Sequence, residues 1–93
     1  MPYQVRLHRE VAKTMSRLSP ELRSRIIRSL RNLQKDPFHS RSGADIGRLR
    51  GTKGRQDLFR LRVGDYRVIY AVEDNIVYVT DLFHREQGYV QDH

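Results

Sequence analysis

Arginine dominates the side chains that could do chemistry. Arg60, Arg62 and Arg67 fall inside the run Leu58-Phe59-Arg60-Leu61-Arg62-Val63-Gly64-Asp65-Tyr66-Arg67-Val68-Ile69-Tyr70, and His84, Arg85 and Tyr89 follow it. A guanidinium group offers a planar fork of donors that matches phosphate oxygens, and it stays charged at any relevant pH. A cluster of them can hold an RNA backbone and also stabilise a pentacovalent phosphorane, whose extra charge develops in the transition state. RNA carries its own nucleophile, the 2′-hydroxyl, so a protein need only position, stabilise and move protons. Arginine moves protons poorly because it hardly deprotonates. Histidine is the side chain whose ordinary pKa lies nearest neutrality, which makes His84 the natural general base or acid. Tyr89 could stack on a base or donate a proton. The plainer alternatives are a structural histidine at a strand end and a tail aromatic packed on a sheet.

Other chemistry finds less support. The four histidines (His8, His39, His84 and His93) lack metal-ligand spacing, so neither a metal nor another cofactor is expected. No nucleophile-elbow motif occurs. Gly51-Thr52-Lys53-Gly54 lacks the Gly-Lys-Ser/Thr ending of a phosphate loop; it matches the GXXG of KH domains, but strands rather than helices flank it. With no cysteine there is no disulfide framework and no thiol nucleophile.

The arginines must be positioned by a hairpin. Gly64-Asp65 between two runs of β-branched and aromatic residues signals a tight turn, pairing Val63 with Tyr66, Arg62 with Arg67 and Leu61 with Val68. Partners share a face and successive residues alternate. One face then carries Phe59, Leu61, Val63, Tyr66, Val68 and Tyr70. The other carries Arg60, Arg62 and Arg67, with Leu58 and Ile69. Like charges this close repel unless an anion lies between them. A second turn at Asp74-Asn75 pairs Val72 with Val77 and Tyr70 with Val79. On that parity Val77, Val79 and Phe83 join the apolar face, while Tyr78, Thr80, Leu82 and His84 join the arginine face, with Arg85 just beyond. Asp81 falls on the apolar face, which predicts a bulge or a register error near it.

Upstream, Tyr3 to Leu7 alternates as an opening strand. Val11, Ala12, Met15 and Leu18 have helical spacing over Arg9 to Leu18. Ser19-Pro20-Glu21 restarts a helix, with Leu22, Ile26, Ile27, Leu30 and Leu33 on one stripe, and Asp36-Pro37 ends it. Phe38 to Gly43 reads as a polar, flexible loop. Asp45 to Arg50 reads as a short strand that Gly47 weakens. The 93 residues make one domain, 1–93, with an α+β architecture: an N-terminal strand and a two-helix hairpin packed on one face of a small antiparallel sheet, in β-α-α-β-β-β order. The sheet's other face stays open and bears the arginines.

Net charge +7, with 18 Lys+Arg of which 15 are arginine, biases the chain towards polyanions. No apolar run approaches the roughly 20 residues of a membrane helix, and the N-terminus lacks a signal-peptide core, so a cytoplasmic protein without membrane contact is expected.

The ordered set Leu49-Arg50-Gly51, Phe59-Arg60-Leu61-Arg62, Gly64-Asp65-Tyr66-Arg67-Val68-Ile69-Tyr70, His84-Arg85 and Tyr89 resembles the RelE toxins of the RelE/ParE superfamily, and the likeness extends over nearly the whole chain. The resemblance implies the toxin of a type II toxin–antitoxin system, an endoribonuclease that enters the ribosomal A site. There it would cleave mRNA by metal-free attack of the 2′-hydroxyl, leaving a 2′,3′-cyclic phosphate. It implies that Arg67 and Arg85 stabilise the scissile phosphate, that Arg60 is a basic site position and that Tyr89 acts at the cut. Arg62, with Arg50 at the end of the short strand and Lys53 and Arg55 of the basic loop after it, is assigned to RNA or ribosome contact. Implied partners are a cognate antitoxin, the ribosome with its rRNA, mRNA, and operator DNA through the antitoxin complex. Leu58 and Arg60 stand where the best-known members carry lysines. Either His84 takes the proton-transfer role or cleavage is slow or selective in another way. Two alternatives share the fold: a ParE-like toxin that inhibits DNA gyrase without cutting RNA, and an inactive basic RNA- or protein-binding relative.

Overall fold

Ser19, Pro20 and Glu21 open the longer helix as the sequence predicts. The Ser19 Oγ accepts the Leu22 N–H at 3.3 Å, and proline occupies the first helical turn, where its missing N–H costs nothing. In the computed structural model, which describes residues 2–49 and 57–87, the order is β1 (Gln4–Leu7), α1 (Arg9–Arg17), α2 (Pro20–Lys35), β2 (Asp45–Leu49), β3 (Leu58–Val63), β4 (Tyr66–Glu73) and β5 (Ile76–His84). At the start of α1, His8 serves as the N-cap, its Nδ1 accepting the Glu10 N–H at 3.0 Å. Two of the scattered arginines are structural. Arg23 donates to the Met15 and Leu18 carbonyls that end α1 (3.1 and 2.8 Å). Arg41 donates to the carbonyls of Asn32, Asp36 and His39 (2.7, 2.9 and 2.6 Å). The loop after α2, expected to be flexible, is therefore pinned to the helix end.

The sheet order is β1-β5-β4-β3-β2. The four C-terminal strands form the antiparallel meander, and β3 meets β4 in the expected register: Val63 faces Tyr66, Arg62 faces Arg67 and Leu61 faces Val68. The opening strand departs from a purely antiparallel sheet. It runs parallel to β5, from Gln4 opposite Ile76 to Leu7 opposite Val79. Alternation of side chains marks a strand but carries no direction, so its partner and sense were not readable.

A bulge interrupts the β4–β5 ladder between Ile69 and Tyr70: Tyr70 pairs with Val79, but Ile69 pairs with Asp81, leaving Thr80 as the extra residue. The bulge near Asp81 was expected. Its consequence for the faces was not, because one inserted residue reverses the parity of everything after it. Asp81 and Phe83, opposite Ile69 and Arg67, lie on the arginine face. Leu82 and His84, opposite Val68 and Tyr66, lie on the apolar one. The burial of Leu82 within the core agrees.

Both helices pack on that apolar face. Val11 and Met15 of α1 and Ile26, Leu30 and Leu33 of α2 meet Leu61, Val63, Val68, Tyr70, Val77 and Val79. Tyr70 is fully buried and its hydroxyl donates to the Pro37 carbonyl at 2.6 Å, tying the sheet centre to the end of α2. Ile69 and Ala71 are also buried, outside this core cluster and on the arginine-bearing face of β4. None of the described helices is long and apolar enough to cross a membrane.

Candidate phosphate-binding site

The tight turn decides where the arginines go. Gly64 adopts φ +59°, the left-handed conformation that glycine takes without a Cβ penalty, and β3 and β4 leave it in register. Arg67 on β4 then stands between Arg62 of β3 and Phe83 of β5. It is half-buried, and its Nη1 donates to the carbonyls of Gly64 (3.2 Å) and Tyr66 (3.1 Å). Burial is the main cause that holds its pKa below the ordinary arginine value, followed by the charges of Arg62, Arg60 and Arg85; Asp65 opposes them. Three guanidinium groups thus act on Arg67.

Each neighbour is held differently. Arg60 pairs with Gly47 of β2 on one side and Ile69 of β4 on the other. Its guanidinium lies across Gly47 so closely that a Cβ there would be 2.5 Å from Nη2 and 2.9 Å from Cζ. Its Nε is buried without a hydrogen-bond partner. Gly47 therefore does more than weaken a strand: it vacates the volume that Arg60 fills. Arg62 is exposed, with Nη1 3.5 Å from the Asp45 carboxylate. Arg85, just past β5, gives its main-chain N–H to the Asp65 carbonyl at 2.7 Å and sets Nε 3.2 Å from the Asp65 carboxylate. Among the described residues, Arg60 and Arg67 have no acidic partner. Asp45 and Asp65 sit at the rim, and Asp81 on the same face makes no ion pair among the described residues. Four guanidinium groups therefore outnumber three carboxylates and leave positive charge that an oxyanion satisfies.

His84 does not join this cluster as expected. The bulge puts it opposite Tyr66, whose ring meets the imidazole edge-on at 5.2 Å between centroids. Its Nδ1 accepts the Glu86 N–H at 3.0 Å, which puts the neutral ring's proton on Nε2 and makes that nitrogen a donor. Phe83 takes the place on the arginine face that parity without the bulge gave to its neighbours. Arg50, Lys53, Arg55 and Tyr89 lie outside the described residues. Sequence reasoning missed Gly47 and Asp65 as parts of the site. A glycine inside a strand is the available signal for the first, since it marks a close approach; Asp65 was read only as a turn residue.

The chain matches the family described as ParE toxin of type II toxin-antitoxin system, parDE, over residues 5–89. A Methanocaldococcus jannaschii protein named as toxin RelE1 is 30% identical over 91 residues, spanning 96% of this chain and 97% of that protein. This chain belongs to the RelE/ParE toxin family of type II toxin–antitoxin systems. The fold of the toxin agrees. The archaeal RelE–RelB complex from Pyrococcus horikoshii OT3 superposes with a TM-score of 0.79 at 34% identity, covering 95% of this chain and 100% of that one. The toxin–antitoxin complex RelBE2 of Mycobacterium tuberculosis shares the fold at TM-score 0.73 and 23% identity, covering 91% and 100%. In this RelE/ParE toxin the arginine cluster stands on the sheet face that the two helices leave open.

Proposed function

We propose that this toxin is a ribosome-dependent endoribonuclease that cuts mRNA in the A site without a metal. The observation that carries the reading is the half-buried Arg67 crowded by Arg60, Arg62 and Arg85, with no ion-paired carboxylate of its own among the described residues. In the reaction the 2′-hydroxyl oxygen attacks the adjacent phosphorus as the bond to the 5′-oxygen breaks. The products are a 2′,3′-cyclic phosphate and a new 5′-hydroxyl. Arg67 and Arg85 take the non-bridging oxygens as charge builds in the phosphorane, and Arg60 adds a third guanidinium from β3. His84 lies on the other face of the sheet, so none of the described residues around Arg67 is assigned the 2′-hydroxyl proton. Tyr89 serves the cut end of the chain by giving a proton to the departing 5′-oxygen. Arg62, Arg50, Lys53 and Arg55 hold RNA of the message and the ribosome. The site is a sheet face rather than a closed pocket, so alignment of the 2′-hydroxyl for in-line attack comes from the ribosome, and free RNA is a poor substrate.

Because the Pyrococcus horikoshii and Mycobacterium tuberculosis relatives are complexes with antitoxins, a cognate antitoxin is the expected partner here, covering the toxin and carrying it to operator DNA. The cytoplasm, where ribosomes work, is the place of action. One observation favours a second reading: the matching family is that of ParE toxins, so inhibition of DNA gyrase is the alternative. Primer extension on mRNA in a translating extract, run beside a supercoiling assay with purified gyrase, separates the two. A-site cuts that vanish with Arg67→Ala support the nuclease. Intact mRNA with blocked supercoiling supports the alternative.

A further inference from the structure

A second basic feature lies on the helix side of the hairpin tip. A cleft of about 500 Å³ opens between α2, the 40–44 loop and the end of β3, with Arg25, Arg28, Arg41 and Arg62 in its lining and Asp45 of β2 as its one carboxylate among the described residues. The wall is built rather than loose. Arg41 is committed to three main-chain carbonyls, and the Asn32 amide donates to the Gly43 carbonyl at 2.8 Å. Asp45 is met by Arg62 at 3.5 Å. Arg25 and Arg28 are exposed and have no acidic partner among the described residues, and the Arg25 guanidinium lies over the turn, 3.1 Å from where a Gly64 Cβ would stand.

We propose that this cleft binds the backbone phosphates of structured RNA, with Arg25 and Arg28 as the principal contacts, at a site distinct from the Arg67 cluster. Arg62 belongs to both, pairing with Arg67 across the hairpin and lining the cleft at its mouth. The lining chemistry selects the ligand. Guanidinium forks and the Ser29 and Ser42 hydroxyls suit phosphate oxygens. Among the described residues no aromatic ring lines the cleft to stack a base, so contact is to the backbone and independent of sequence. Among the described residues its apolar lining is Ala44 and Val63, both buried, and these offer no hydrophobic pocket to anchor a protein segment. The choice of RNA over another polyanion rests on the RNA reading of the toxin.

Fluorescence anisotropy of a labelled RNA hairpin, titrated with the full chain at several KCl concentrations, tests this. Arg25→Ala/Arg28→Ala is compared with wild type, with Arg25→Lys/Arg28→Lys and with Arg67→Ala. The alanine pair should weaken binding on the order of tenfold or more and flatten the dependence of log affinity on log salt by between about one and two. The lysine pair should keep most of the salt dependence. Circular dichroism checks that both pairs fold. Unchanged affinity and slope in the alanine pair overturn the proposal. So does loss of binding to polyglutamate alone, with RNA binding intact, which would make the cleft a seat for an acidic protein. Cleavage plays no part in the readout. If wild type and Arg67→Ala both leave mRNA uncut while the alanine pair loses RNA affinity, the nuclease reading fails and the cleft stands.

Discussion

Asp65 holds Arg85 twice, through a main-chain carbonyl that accepts its N–H at 2.7 Å and a carboxylate 3.2 Å from its Nε. The turn that sets the register of β3 and β4 therefore also fixes the residue that leaves β5. Asp65→Ala keeps the main-chain bond and frees the guanidinium. Both side chains are more than half exposed, so the stability cost should be within about 1 kcal/mol. Cleavage should nonetheless fall roughly tenfold, because a loosely held guanidinium stabilises developing charge less well. Urea melts and ribosome-dependent cleavage rates, measured on the same preparation, check both halves.

Gly47 offers a cleaner separation of folding from function. In Gly47→Ala the new Cβ meets the far end of a flexible side chain, 2.5 Å from Arg60 Nη2, so Arg60 swings away instead of the strand breaking. Alanine also suits a strand no worse than glycine. Thermal stability should stay within about 1 kcal/mol of wild type, while cleavage drops to the level of Arg60→Ala. The double variant Gly47→Ala/Arg60→Ala should be no worse than either single change. Additive losses in that double variant would refute the packing relation.

The hairpin was legible because two local signals agree: Gly64-Asp65 fixes the turn and the apolar alternation fixes the faces. The bulge was half legible. Asp81 on the wrong face announced an extra residue, but alternation does not say where the insertion falls. The side chains after Thr80 were therefore assigned in reverse, Leu82 and His84 to the arginines and Phe83 to the core. The parallel pairing of β1 was not legible, since nothing in Gln4 to Leu7 specifies direction. Arg85 is near Arg67 for a reason the sequence does not display, the grip of Asp65.

The crowding of Arg67 predicts an anion effect. Inorganic phosphate should raise the melting temperature of the toxin, because an anion offsets the repulsion from Arg60, Arg62 and Arg85. Mass action gives about 1.4 kcal/mol at ten times the dissociation constant. Arg67→Ala should lose most of the increment. Differential scanning calorimetry with phosphate at constant ionic strength measures it, and an equal increment in the variant would place the bound anion elsewhere.

Tyr70 gives a prediction about folding alone. Burial pushes its phenol well above the ordinary value of 10.0, because the buried site disfavours the charged form. A raised folded-state pKa means the native state holds its proton longer than the unfolded chain does. The stabilisation is therefore complete below pH 10.0 and is lost as pH rises beyond it. Tyr70→Phe leaves the Pro37 carbonyl without its donor and should cost about 1–2 kcal/mol at neutral pH. It should also flatten the alkaline loss. Urea melts across the alkaline range read both effects.

The central claim is that Arg67 stabilises the charge that develops when a 2′-hydroxyl attacks its neighbouring phosphate. Single-turnover cleavage of mRNA programmed in a purified ribosome, with the new 3′ end identified chemically, tests it most directly. Wild type should leave a 2′,3′-cyclic phosphate, and Arg67→Ala should be slower by about 10²–10³-fold, the usual cost of removing one transition-state donor. Cleavage by Arg67→Ala at the wild-type rate, or an mRNA that wild type leaves intact on the ribosome, would contradict the account.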